Sequence, residues 1–179
     1  KNILSIGTMF WPPNVDAILY FNDHIFPAVR EKIPGCKLII AGQKPTAAIW
    51  ELDKDPDISV TGYVDDTRKT AKDCGVFIVP LRSGSGVRVK ILNAMAMGLP
   101  IVSTSIGAEG LDVENGRNIL IADTPEEFTD AVERVLTDNV LADQLGNEAR
   151  KLIESKYSWE IVGRKLIDIY KKHFTEVQN

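Results

Sequence analysis

The 179-residue chain is predicted to form a single α/β domain, a doubly wound, Rossmann-like sheet of six parallel strands. Three observations lead to this prediction. Short runs with strand composition alternate with helical patterns, most of these runs are apolar on both faces, and no linker, repeat or low-complexity segment divides them. A strand that is apolar on both faces needs helices on both sides of its sheet.

The predicted elements follow one another in βα order. One long amphipathic helix is predicted between the first two strands, with Asn14 as its N-cap and apolar residues at helical spacing up to Ile33. Shorter helices are predicted over 45–54, 66–73 and 87–97. The six predicted strands cover residues 2–7, 37–42, 58–62, 76–80, 100–104 and 118–121.

Three helices are predicted to close the chain, over about residues 125–174. The first begins at Thr124-Pro125-Glu126-Glu127, which combines a capping box with proline at the first helical position. The last follows Ser158, a predicted N-cap, and its apolar stripe must be buried against another surface. The stripe consists of Trp159, Val162, Leu166, Ile169 and Tyr170.

Composition argues against several functions. The net charge of −4 and the pI of about 5.3 disfavour general nucleic-acid binding, which requires a basic surface. No apolar run approaches the roughly 18 residues that span a bilayer, and no signal-peptide pattern opens the chain. Cys36 and Cys74 lack the spacing of a zinc site or a disulfide framework, so a reducing, cytoplasmic location is expected.

The start of the chain also carries information. It begins at Lys1, without an initiator Met, and enters a predicted strand almost at once. A natural N-terminus rarely begins inside a strand, so the sequence is expected to be one domain excised from a larger protein.

The loop after the fourth strand is the most informative segment, because ligands of open α/β sheets bind beyond the carboxyl ends of the strands. Gly84 and Gly86 allow backbone N–H groups to approach an anion, and the following helix directs its positive end to the same point. Three cations gather here in an otherwise acidic domain: Arg82, Arg88 and Lys90. The pattern predicts a diphosphate site.

Two neighbouring positions extend this site. Asn93 is three residues after Lys90 and therefore on the same helix face, within reach of a ribose attached to the diphosphate. Glu109 follows the fifth strand, whose loop points into the same crevice, so it is a candidate for hydrogen bonds to donor-sugar hydroxyls. The alternative for Glu109 is a carboxylate favoured by the dipole at a helix start.

Residues 84–111 resemble the signature of GT-B glycosyltransferases of family 4, also called glycosyl transferases group 1. Members have a Gly-rich loop with Arg-x-Lys, an apolar helix, a Gly-x-Pro turn and a Ser-Thr strand in this order, as this chain does. Further matches lie at residues 7–9, 13–17 and 61–66. The resemblance covers essentially the whole chain and indicates a C-terminal, donor-binding domain without its N-terminal acceptor domain.

The resemblance implies transfer of a sugar from a UDP- or GDP-linked nucleotide diphosphate sugar, usually with retention of configuration and without an essential metal. Arg88 and Lys90 are then the diphosphate ligands, and the acceptor domain of the full-length protein supplies the catalytic groups, so this domain alone is expected to be inactive. Peripheral membrane contact of the full-length protein is compatible with the resemblance. The remaining implied donor contacts are Gly7 and Thr8 at the sugar phosphate, Tyr63 and Val64 at the base, Gly84, Ser85 and Gly86 along the donor, and Asn93 at the ribose.

The chain departs from the family pattern at two positions. Many members carry two glutamates eight positions apart, and here Ser85 and Asn93 stand in their places. Because a neutral amide forms weaker hydrogen bonds than a carboxylate, a non-catalytic nucleotide-binding or regulatory module with a degenerate donor site is the alternative function. A dinucleotide-dependent oxidoreductase is disfavoured, since the loop that starts at Gly7 lacks GxGxxG.

Two further patterns have competing interpretations. The acidic run 53–57 contains the Asp-x-Asp pattern of metal-dependent sugar transferases of another fold, but such charge-and-proline stretches are usually loops. Neither a metal ion nor a cofactor other than the donor substrate is therefore predicted. Tyr63 and Val64 fit a base pocket and a plain strand end capped by Asp65 or Asp66 equally well.

Overall fold

The computed structural model describes residues 2–176, in which one six-stranded sheet forms the centre of the fold. All paired neighbours are parallel, in the order β3-β2-β1-β4-β5-β6. The predicted doubly wound sheet is confirmed. The strands β1 to β6 are Asn2–Ile6, Lys37–Ala41, Ile58–Gly62, Cys74–Val79, Ile101–Ser103 and Leu120–Ile121.

Helices flank this sheet throughout the described part of the chain. The last two are joined by a π-helical turn, Ile153–Tyr157. The helices α1 to α9 are Pro12–His24, Phe26–Lys32, Ala47–Leu52, Thr67–Ala71, Val89–Ala96, Ser105–Ala108, Pro125–Thr137, Asn139–Leu152 and Trp159–Glu176.

Each face of the sheet carries its own apolar core. The strands alternate between them: in β4, Val76 and Ile78 belong to one core and Phe77 and Val79 to the other. The first core also contains buried aromatic rings from α1, α2 and α7. The ring centroid of Phe21 lies 6.0 Å from that of Phe26 and 5.9 Å from that of Phe128. The second contains buried side chains of α5 and α8, including Ile91, Met95 and Ala149. The chain is therefore a three-layer α/β/α domain.

The segment between β1 and β2 differs from the prediction of one long helix, because it forms two helices that meet at Ile25, where φ is −120°. Pro27 accounts for the break, since it has no N–H and its ring would clash with a carbonyl oxygen of the preceding turn. The first helix also begins at Pro12 with Trp11 at the N-cap, so the predicted N-cap role of Asn14 is wrong. Proline at the first helical position presets the φ angle of this earlier start.

The helix starts predicted near the C-terminal end are confirmed. Thr124 and Glu127 form a reciprocal capping box at α7, and Ser158 Oγ accepts a hydrogen bond from Ile161 N–H at 3.4 Å before α9. The predicted apolar stripe of α9 is exposed, with Trp159 88% and Ile169 66% accessible. The surface that covers this stripe is therefore not formed by the described part of the chain.

The acidic run before β3 has structural partners. Asp53 Oδ1 accepts a hydrogen bond from Val60 N–H at 2.7 Å, and Asp55 forms an ion pair with Arg30 at 2.8 Å. These contacts hold the loop that enters β3. Across residues 2–176, no group of three His, Cys, Asp or Glu side chains is arranged to hold a metal ion, and no helix is long and apolar enough to cross a membrane.

The turn between α5 and β5 packs closely on α8, and this contact yields a stability prediction. A Cβ atom at Gly146 would lie 2.1 Å from the backbone oxygen of Gly98. We expect Gly146→Ala to lower the free energy of unfolding by about 1–3 kcal/mol in urea titrations, because the added methyl forces α8 away from the turn. Gly163→Ala in α9 is the control, because a Cβ there meets nothing within 4 Å. Equal effects of the two substitutions would contradict the predicted steric constraint.

Candidate functional site

A crevice lies at the carboxyl ends of β1 and β4, neighbouring strands in the centre of the sheet. The order of the strands reverses between these two, so their connections leave toward opposite faces and open a gap. A cavity of about 440 Å³ occupies this position. It is lined by residues from two segments, 7–14 after β1 and 81–90 after β4.

The loop after β4 is fixed at its base and turns sharply at its tip. At the base, Thr104 Oγ1 donates a hydrogen bond to the backbone oxygen of Leu81 at 2.5 Å. At the tip, Gly84 and Gly86 have φ angles of +123° and +83°, which side-chain-bearing residues rarely adopt. The two glycines thus let the backbone fold back over the start of α5.

Arg88, the residue before α5, lies beneath this folded loop. Its Nη1 donates hydrogen bonds to the backbone oxygens of Ser85 and Gly86, the latter at 2.5 Å. Its Nε and Nη2 atoms are buried and have no hydrogen-bond partner among the residues that the structure describes. A Cβ atom at Gly84 would lie 3.0 Å from Nη2, so glycine also gives the guanidinium its space. Two nitrogen atoms of the Arg88 guanidinium are therefore free to donate hydrogen bonds beside the crevice.

Lys90, in the first turn of α5, reaches across the crevice to the segment after β1. Its Nζ donates a hydrogen bond to Asn14 Oδ1 at 2.7 Å, and Asn14 Nδ2 donates to the backbone oxygen of Thr8 at 3.0 Å. Burial lowers the pKa of Lys90 from 10.5 to about 8, and the positive charge of Arg88 acts in the same direction. The two lining segments are therefore joined by a lysine that is held in a poorly solvated position.

The charges of Arg88 and Lys90 set this crevice apart. Many other Arg and Lys side chains of the described residues form an ion pair with a carboxylate, for example Arg30, Lys32 and Arg82. Arg88 and Lys90 form none within residues 2–176. A buried charge without a counter-ion is costly. An anion in the crevice would relieve both the repulsion between the two cations and the unmet donors of Arg88.

The structure brings together six of the twelve predicted donor contacts. They line the cavity together: Gly7, Thr8, Gly84, Ser85, Arg88 and Lys90. The remaining six lie outside its lining: Tyr63, Val64, Arg82, Gly86, Asn93 and Glu109.

Among these outer residues, Arg82 is held on α1. It forms an ion pair with Asp16, and its guanidinium carbon lies 4.3 Å from the ring centroid of Tyr20. Asn93 and Glu109 are exposed, and Tyr63 is 71% accessible at the end of β3, two strands away from β1. Their roles toward a ligand stay predictions.

Asn14 is the site residue whose contact the sequence interpretation misses. The sequence pattern assigns it only to a helix cap, yet it bridges Lys90 and the backbone of Thr8. One sequence signal was available: Asn14, Ala17, Ile18 and Phe21 are the buried residues of α1, so an amide falls on an otherwise apolar face. A polar side chain at such a position needs a hydrogen-bond partner, and here that partner is the site lysine.

Comparison with known proteins identifies the family. The sequence model described as glycosyl transferases group 1 matches residues 1–138. The chain belongs to this family. An uncharacterised 44.6 kDa protein in the cps region of Klebsiella pneumoniae is 33% identical over 129 residues, which are 68% of this chain and 33% of that protein.

A second relative of this group 1 chain carries a named activity. The GDP-mannose-dependent alpha-(1-6)-phosphatidylinositol monomannoside mannosyltransferase of Mycobacterium tuberculosis is 24% identical over 177 residues, 81% of this chain and 42% of that protein. The chain spans between 33% and 45% of the length of the first curated relatives that it matches.

Solved structures of glycosyltransferases share the fold of the group 1 chain. TarM superposes with a TM-score of 0.77 at 21% identity, over 95% of this chain and 35% of that one. Anabaena HepE in complex with UDP gives 0.76 at 14% identity, over 96% and 48%. The C-terminal domain of the group 1 protein LpcC from Francisella tularensis gives 0.66 at 14% identity, over 89% and 87%. The predicted fold and family are both confirmed.

The lowered pKa of Lys90 predicts how stability depends on pH. Folded protein releases the Lys90 proton near pH 8, whereas the unfolded chain holds it up to about 10.5, so raising the pH across this interval favours folding. We expect the free energy of unfolding to rise relative to that of Lys90→Met by at most about 1.4 kcal/mol per pH unit above pH 8. Denaturant titrations between pH 7 and 10 measure this difference.

The control for this pH dependence is Lys72→Met, because Lys72 is exposed just before β4. Its stability difference from the wild type should not change with pH. Parallel pH curves for the wild type and Lys90→Met would contradict the assigned burial of the ammonium group.

Proposed function

We propose that this chain is the donor-binding domain of a glycosyltransferase that uses a nucleotide diphosphate sugar. The proposal rests on one observation: Arg88 and Lys90 lie at the β1/β4 crevice of a group 1 chain, and neither pairs with a carboxylate in residues 2–176. A diphosphate carries two to three negative charges over a length that suits two neighbouring cations. Its oxygens would accept hydrogen bonds from the buried N–H groups of Arg88, and its negative charge would raise the pKa of Lys90.

The same two side chains supply the catalytic contribution of this domain. The diphosphate gains negative charge as the glycosidic bond breaks, and cations already held in place stabilise that charge without reorganising at the moment of reaction. Arg88 is fixed by the backbone oxygens of Ser85 and Gly86, and Lys90 by Asn14. The proposal assigns the charge stabilisation to these side chains and no metal ion to the site.

The nucleoside and the sugar are assigned to residues around the cavity. We assign the ribose contact to Asn93, one helical turn after Lys90, and the base contacts to Tyr63 and Val64. We assign the sugar side to Glu109, which follows α6. HepE was solved with UDP, and the mycobacterial mannosyltransferase is named for GDP-mannose, which supports our assignment of a UDP- or GDP-linked donor.

The acceptor is assigned to a further domain of the full-length protein. The chain spans less than half of the first curated relatives, and α9 exposes a stripe of apolar side chains that includes Trp159, Leu166 and Ile169. An exposed stripe of this kind marks a surface for another folded unit. We assign that unit to the acceptor domain, so that transfer, with retention of configuration, requires both parts.

The donor site is tested by calorimetric titration of this chain with UDP, GDP and ADP. We expect one of the first two to bind, and Arg88→Ala and Lys90→Ala each to weaken it about 10- to 100-fold, the amount expected for one hydrogen bond to a charged group. Higher salt should also weaken binding. Lys72→Ala, which removes an exposed charge at the opposite edge of the sheet, is the matched control. Loss of binding in that control alone, or wild-type affinity in both site variants, would refute the proposed site.

The second candidate function, a regulatory module with a degenerate donor site, is favoured by Asn93 and Ser85 at the positions of the two family glutamates. Asn93→Glu separates it from the first. If Asn93 faces the ribose, a carboxylate there should tighten binding of the nucleoside diphosphate about 5-fold, because its hydrogen bonds to hydroxyls are charge-assisted. Asn93→Gln, which adds the length without the charge, should not. Equal affinity of both variants and the wild type, measured in the same titration, favours the degenerate site.

A further inference from the structure

The π-helical turn Ile153–Tyr157 contacts the loop that follows β5 and α6. Tyr157 Oη accepts a hydrogen bond from Asp112 N–H at 2.9 Å, and Lys156 Nζ lies 3.1 Å from Asp112 Oδ2. Two consecutive residues of the turn thus engage one residue of the loop. Single π-helical turns are rare and occur frequently at functional sites.

The loop held in this way borders the donor crevice. Asp112 is three residues after Glu109, which ends α6 at the carboxyl edge of the sheet. A Cβ atom at Gly110 would lie 3.9 Å from Val87 Cγ2, and Val87 lines the cavity. The segment 109–112 therefore lies against the same β4–α5 loop that covers Arg88.

The other contacts of this segment are local or apolar. Glu109 N–H donates to the backbone oxygen of Ile106 at 3.4 Å and Leu111 N–H to that of Ala108 at 3.2 Å, and the side chains of Leu111 and Val113 pack partly buried against the core. The Lys156–Asp112 pair is exposed on both sides, so solvent screens it. The hydrogen bond to the phenol of Tyr157 thus ties the backbone after Glu109 to the π-helical turn.

We propose that Tyr157 is a positioning residue for the donor sugar: its hydroxyl holds Asp112 N–H and so places Glu109 at the sugar side of the crevice. The inference rests on the proposed function, since it requires a nucleotide sugar in the β1/β4 crevice. It goes beyond that function because Tyr157 lies outside the cavity lining and acts through the backbone of residues 109–112.

The test compares a nucleoside diphosphate with its nucleotide sugar, UDP with UDP-glucose and GDP with GDP-mannose, in calorimetric titrations of the full chain. Tyr157→Phe removes only the hydroxyl, so we expect nucleotide-sugar affinity to fall about 3- to 10-fold while diphosphate affinity changes less than about 2-fold. Glu109→Gln should give the same split. The double variant should be no weaker than either single variant, because both substitutions remove one contact.

Lys156→Ala is the matched control from the same turn, and we expect it to change either affinity by less than about 2-fold. Hydrogen exchange of the free protein supplies a readout that needs no ligand: amides of residues 110–113 should exchange faster in Tyr157→Phe than in the wild type. A purely structural role would move both ligands equally and would leave the effects of Tyr157→Phe and Glu109→Gln additive.

Any of three results with the variants overturns the inference: equal weakening of both ligands, additive effects in the double variant, or unchanged exchange of residues 110–113. A wild type that binds the diphosphate and its sugar conjugate equally also overturns it, because Glu109 then contributes nothing. A wild type that binds neither ligand contradicts the proposed function instead, and the exchange measurement still decides whether Tyr157 holds the loop.

Discussion

The burial of Arg88 and Lys90, two neighbouring cations with no carboxylate partner in residues 2–176, is the constraint on which the crevice depends. Burial and mutual repulsion cost free energy in the folded protein, which the surrounding structure must offset. Neutral acceptors provide this compensation, with the backbone oxygens of Ser85 and Gly86 bound to Arg88 and the Asn14 amide bound to Lys90. Neutral partners hold a cation in place without cancelling its charge, so its attraction for an anion is preserved.

The sheet makes this arrangement possible by separating stability from the site. Among the described residues, the two cores share Leu81 alone with the cavity lining, and buried aromatic rings such as Phe21 and Phe128 fill the core on one side of the sheet. Parallel strands in the order observed leave a gap only where the order reverses, between β1 and β4. The rigid ends of these strands hold the two lining segments, and Thr104 fixes the base of the second at Leu81. The buried side-chain donors without a hydrogen-bond partner in the described residues, Nε and Nη2 of Arg88, therefore lie at this edge of the sheet.

The sequence predicts what is encoded locally and misses what is formed by distant pairs. All six strands and the caps at Thr124 and Ser158 depend on neighbouring residues, and all are present. The break at Ile25 is also local, but the prediction gave helical periodicity more weight than the helix-breaking effect of Pro27. The contact between Lys90 and Asn14 joins residues 76 positions apart, and that between Asp112 and Tyr157 joins residues 45 apart. No spacing rule extends over such distances, so the sequence names six residues that line the cavity but not the contacts of Asn14 and Tyr157.

The crevice is formed to different degrees along its length. The part that would hold the diphosphate is already in place, whereas Tyr63, Asn93 and Glu109, assigned to the base, ribose and sugar, are exposed. Affinity for the charged group and selectivity for the attached groups therefore have separate structural origins in the proposed site. The first lies at the start of α5, and the second in Asn93 farther along α5 and in the loops after β3 and α6. The π-helical turn lies between the loop that contains Asp112 and α9, whose apolar stripe is exposed. The turn connects the two directly, because Tyr157 accepts the hydrogen bond of Asp112 and the next residue, Ser158, caps α9.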